Sequence, residues 1–77
     1  MARPVMLYKE SHTPDYVTYK FGPDRDTLGV IRLDLRTGDV DVVEDIPNYG
    51  LYHRFRAQQY LQQLYEEGRY PEVTSFA

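Results

Sequence analysis

Between residues 27 and 34 apolar and polar side chains alternate: Ile31 and Leu33, continued by Leu35, point one way, and Arg32 and Asp34 point the other. A period of two is the mark of a strand with one buried and one wet face. The same alternation returns in Asp39-Val40-Asp41-Val42-Val43-Glu44, so residues 27–34 and 39–45 read as a hairpin closed at Leu35-Arg36-Thr37-Gly38. Two registers compete. A two-residue loop at Thr37-Gly38 would set Asp34 against Asp41, and like charges directly opposite destabilise a pair. A longer loop from Leu35 to Gly38, with Gly38 left-handed, sets Leu33 against Val40, Ile31 against Val42 and Arg32 against Asp41. The second register satisfies both faces and is the one expected.

Upstream, residues 15–21 place Val17, Tyr19 and Phe21 on one face and Tyr16, Thr18 and Lys20 on the other. An apolar run, Val5-Met6-Leu7-Tyr8, marks a first strand over residues 4–10, and Ser11-His12-Thr13-Pro14-Asp15 supplies a turn. Gly22-Pro23-Asp24-Arg25-Asp26 breaks the pattern and reads as a surface loop.

After residue 46 the period changes. Over residues 49–67, at about 100° per residue, Ala57, Tyr60, Leu61, Leu64 and Tyr65 gather on one face of a helix. Arg56, Gln59, Gln63, Glu66 and Glu67 gather opposite them. Asp45 and Asn48 are candidate N-caps, Gly68 is placed for a left-handed C-cap, and Pro71 follows where a helix cannot continue. The tail, residues 69–77, keeps Val73 and Phe76 to fold back on the core or to meet a partner. Strands followed by a helix, with connections too short for parallel pairing, predict a single α+β domain over residues 1–77. Its expected form is an antiparallel meander of three to four strands with one C-terminal amphipathic helix on one face.

Length sharpens this picture. With 77 residues the chain has room for one core, and without cysteine neither disulfides nor thiolate metal sites can reinforce it. Oligomerisation is the remaining reinforcement. A composition of 42% hydrophobic and 27% charged residues is that of an ordinary folded domain. No apolar stretch is long enough for a membrane span, and the apolar start, Met1 to Leu7, is too short for a signal peptide, so a cytoplasmic location is expected.

A formal charge of −3 works against double-stranded nucleic acid unless the basic residues share a face. Eight tyrosines with no tryptophan suit either half-buried sheet edges or a binding surface.

Little chemistry is written in the chain. His12 lies in a turn beside Ser11, with no motif that would orient it as a base, and a solvated loop histidine is the simpler reading. Asp24-x-Asp26 opens like a calcium loop, but Leu28 and Leu35 occupy later ligand positions. The glycines are isolated, so no phosphate-binding turn is formed. No cofactor is expected and no catalytic residue can be named.

The one local irregularity is Tyr49-Gly50-Leu51-Tyr52-His53-Arg54-Phe55-Arg56, where the apolar stripe turns polar. On a structural reading these side chains sit past the sheet edge, with Arg54 reaching one of the strand carboxylates or solvent. On a functional one Tyr49, Tyr52, His53, Arg54 and Arg56 form a cationic, aromatic patch for an acidic or flat partner surface. The leading expectation is a non-enzymatic protein-interaction module, homodimeric or bound to another protein, because one helix shields one sheet face and leaves residues such as Val30 and Val43 on the other. The alternatives are a nucleic-acid-associated regulator using Lys20, Arg54, Arg56 and Arg69, and a small enzyme subunit relying on His53.

Overall fold

The computed structural model describes residues 5–23, 25–46 and 51–76, with Leu51, Tyr52 and Phe76 described by backbone alone. Five strands, β1 (Val5–His12), β2 (Tyr16–Gly22), β3 (Gly29–Asp34), β4 (Val40–Glu44) and β5 (Val73–Phe76), accompany one helix, α1 (Leu51–Glu67). The strands form one antiparallel sheet in the order β4-β3-β2-β1-β5, with α1 packed on one face. The α+β class and the helix-on-sheet layout are thus as the periodicity predicts. The tail differs: it forms a fifth strand along β1, so the helix is followed by a strand.

The register of the β3–β4 hairpin follows from burial and charge together. Ile31 faces Val42, Arg32 faces Asp41 and Leu33 faces Val40. Gly38 has φ +82°, the left-handed geometry the loop requires, and its N–H donates to the Asp34 carbonyl at 2.8 Å. Asp34 also accepts from the Arg36 backbone N–H at 2.8 Å, which closes the turn. Beyond Ile31 the register shifts and Val43 becomes the extra residue of a bulge. The first hairpin turns at Thr13, whose N–H donates to the Tyr16 carbonyl at 2.8 Å. β1 therefore extends to His12, beyond the predicted end, with a bulge between Lys9 and Ser11.

Alternate residues Val5, Leu7, Val17, Tyr19, Phe21, Ile31 and Leu33 are fully buried beneath the helix. Ala57, Leu61 and Leu64 press on them from α1, and Ile46 closes the end near β4. His53 joins the same helical line, four residues before Ala57, and is only 4% exposed. Tyr65, expected within the stripe, lies on its flank at 37% exposure, its ring against Gly38. The helix ends in a left-handed turn: Gly68 has φ +70°, its N–H donates to the Leu64 carbonyl at 2.8 Å, and the Arg69 N–H reaches the same carbonyl at 3.3 Å. Its predicted start near Asn48 lies outside the described residues.

Candidate interaction surface

Alternation fixes what the sheet shows on the side away from the helix. Because Tyr19 and Phe21 point into the core, Lys20 points out; because Ile31 and Leu33 point in, Arg32 points out. Pairing then assembles rows across the strands. Glu44, Val30, Lys20, Tyr8 and Val73 form one row, and Asp41, Arg32, Thr18 and Ser11 form the next. In these two rows the acidic residues lie on β4 and the cations on β2 and β3, while the apolar and aromatic side chains are Val30 on β3, Tyr8 on β1 and Val73 on β5.

Two tyrosines on this face carry arginines. The Arg32 guanidinium lies 4.8 Å from the Tyr16 ring centre, with Arg36 at 5.9 Å, and Arg25 lies 6.0 Å from the Tyr8 ring. Arg32 also approaches Asp41 at 3.9 Å, and Arg36 approaches Asp34 at 3.6 Å. Asp34 is held below the usual carboxylate range, first by the hydrogen bond from the Arg36 backbone and further by the Arg36 charge.

The β5 edge is held by a clamp from neighbouring strands. The Lys9 ammonium donates to the Tyr70 carbonyl at 3.1 Å and pairs with Glu72 at 3.2 Å, while the Lys9 backbone N–H donates to the Glu72 carbonyl at 2.7 Å. From β2, the fully buried Tyr19 donates its hydroxyl to the Pro71 carbonyl at 2.6 Å. Burial, and next the Glu72 charge, push the Tyr19 phenol up to about 12. From the helix, the Tyr60 and Thr74 hydroxyls meet at 2.9 Å. These contacts fix the short strand in place along β1.

Of the five residues singled out at the start of the helix, the side chains of three, His53, Arg54 and Arg56, are described. Tyr49 lies outside the described residues, and the Tyr52 side chain is likewise not described. His53 faces the core. Arg54, half-buried, donates to Asp45 at 3.0 Å, which is the carboxylate contact foreseen on the structural reading. Arg56, also half-buried, donates to Gln59 at 3.3 Å. Lys20 is on the opposite side of the sheet from Arg54 and Arg56, so the basic stripe imagined for nucleic acid is divided between two faces. Sequence reasoning overlooked the β5 edge; its signal was the short β-forming run Val73-Thr74-Ser75-Phe76 after Pro71.

Among the described residues no three metal-ligating side chains cluster, and no helix is long and apolar enough to cross a membrane. Comparison with protein-family models, curated proteins and solved structures gives no match.

Proposed function

We propose that the domain is a protein-interaction module without chemistry of its own and that it acts as a homodimer. The observation that carries this reading is the apolar surface left outside the helix-covered core. Met6, Tyr8, Tyr16 and Val30 are half-buried on the open side, and Val73 on β5 and Val43 on β4 are each 58% exposed. A chain of this size has little core to spare, and covering such surface with a second copy adds burial that it cannot obtain alone. The test is the solution mass over a range of concentrations, combined with purification of the native chain and identification of what co-elutes. A monomer at every concentration, with nothing bound, overturns the reading.

A second reading rests on the paired rings and cations of the open face. Tyr8 and Tyr16 with Lys20, Arg25 and Arg32 have the composition of a platform for single-stranded nucleic acid. Against it stand Asp34 and Asp41 beside the arginines and the formal charge of −3. Salt-dependent binding of generic single-stranded DNA or RNA supports this alternative, and no binding at low salt removes it.

A further inference from the structure

We infer that the partner surface is the edge of β5 that no other described strand covers and that its occupant is a second copy of this chain, joined by antiparallel β5–β5 pairing about a twofold axis through Thr74. This rests on the homodimer reading and places the contact at the sheet edge, where of the apolar open face it brings Val73, Met6 and Tyr8 of the two copies together and leaves Tyr16, Val30 and Val43 uncovered.

The sheet has two edges, and they are built differently. β4 is bulged at Val43 and carries Asp41 and Glu44, with Asp45 directly after it; both a bulge and charge discourage strand addition. Pairing β4 with its own copy would also bring acidic residues together. β5 is Val-Thr-Ser-Phe, with no charge, no proline and a regular register on β1. With both helices on one side of the continued sheet, joining β4 of one copy to β5 of another would make a parallel, head-to-tail contact, which does not close on itself.

The backbone selects the register. In an antiparallel ladder, successive residues turn their N–H and C=O groups alternately toward one neighbour and the other. The Lys9 N–H bonds the Glu72 carbonyl at 2.7 Å, and the pairing continues as Leu7 with Thr74 and Val5 with Phe76. Glu72, Thr74 and Phe76 therefore address β1, leaving Val73 and Ser75 to present their backbone groups to the open edge. A second β5 satisfies both residues when Val73 faces Ser75 of its mate and Thr74 faces Thr74, forming about four hydrogen bonds. No like charges meet in this register. On the open face the exposed Val73 and its neighbours Met6 and Tyr8 become continuous with the same residues of the mate. On the helix face the axis joins two threonines, a favourable cross-strand pair.

Two substitutions test the assignment. Ser75→Pro removes an outward N–H that β1 does not use, so the monomer keeps its fold while the edge is blocked. Thr74→Cys places one thiol from each chain at a pair whose Cα atoms are about 4.5 Å apart, within disulfide reach. The chain has no other cysteine. The expected result is a dimeric native chain, loss of the dimer in Ser75→Pro with an unchanged circular dichroism spectrum, and an interchain disulfide in Thr74→Cys under mild oxidation. Val43→Cys on the β4 edge should stay uncrosslinked. A dimer that survives Ser75→Pro, with Thr74→Cys remaining reduced, overturns the β5 assignment and leaves homodimerisation standing through another surface. A native chain that is monomeric throughout overturns both. Where Ser75→Pro fails to fold, the crosslinking comparison decides alone.

Discussion

Replacing Tyr19 by phenylalanine should make the domain less stable at neutral pH and more stable at high pH, with the two stability curves crossing. The ring is fully buried and its hydroxyl donates to the Pro71 carbonyl at 2.6 Å. Deleting the donor leaves that carbonyl short of a partner and costs about 1–2 kcal/mol at pH 8. The same hydroxyl is a liability in alkali. Its pKa rises from 10.0 to about 12 because burial, and secondarily the Glu72 charge, disfavour the phenolate. A raised pKa means that the folded state holds this proton more tightly than the unfolded chain. The associated stability is fully present below pH 10 and is lost as pH climbs toward 12. The linked loss is about 1.4 kcal/mol at pH 11 and about 2.3 kcal/mol at pH 12. Tyr19→Phe has no such group, so its deficit should vanish near pH ~11 and reverse above it. Urea unfolding of both proteins from pH 8 to pH 12 measures the difference, and the titration of the other tyrosines and of lysine cancels to first order. A difference that stays constant across this range would refute the reasoning.

Gly38→Ala should lower stability by about 1–2 kcal/mol in thermal unfolding, since φ is +82° and the added Cβ would lie 2.9 Å from the Tyr65 ring. His53→Ala and Arg54→Ala, adjacent in sequence, should differ in size and in salt response. The buried His53 site should cost about 1–3 kcal/mol at any ionic strength, whereas the Arg54–Asp45 pair, only partly buried, should cost about 1 kcal/mol or less and fade with added salt. Equal and salt-independent losses at the two positions would contradict these placements.

What could be read from the sequence was whatever depends on neighbours in the chain. The β3–β4 register was legible because a slip would have exposed Ile31 and Leu33 and opposed Asp34 to Asp41. The stop at Gly68 was legible because a left-handed residue there leaves a local signature. β5 was not, because four residues are too few to show a period and its partner β1 lies at the other end of the chain. The face that His53 occupies was legible from its spacing to Ala57 and Leu61, but whether the sheet extends beneath it depends on tertiary packing, and the ring is buried instead of passing the sheet edge. Tyr65 failed in the opposite sense, since its ring belongs over the Gly38 turn and not over the core.

The proposed partner edge is held mainly by residues outside it, and that arrangement can be tested in the single chain. β5 itself contributes four residues, whereas Lys9 and Tyr19 grip the three that precede it, Tyr70, Pro71 and Glu72. Opening of β5 should therefore be a local event whose free energy depends on the clamp, separate from unfolding of the β1–β2–β3 centre. Lys9→Met keeps most of the aliphatic stem but removes the bonds to Tyr70 and Glu72 at 3.1 and 3.2 Å. With a net loss of about 1 kcal/mol, the Thr74 amide, which addresses β1, should exchange with solvent about five-fold faster. The Ile31 amide, in the central pairing of β2 with β3, should change much less. Equal acceleration of Thr74 and Ile31 would show that β5 opens only with the whole domain, and the clamp would then be part of global stability with no separate hold on the edge.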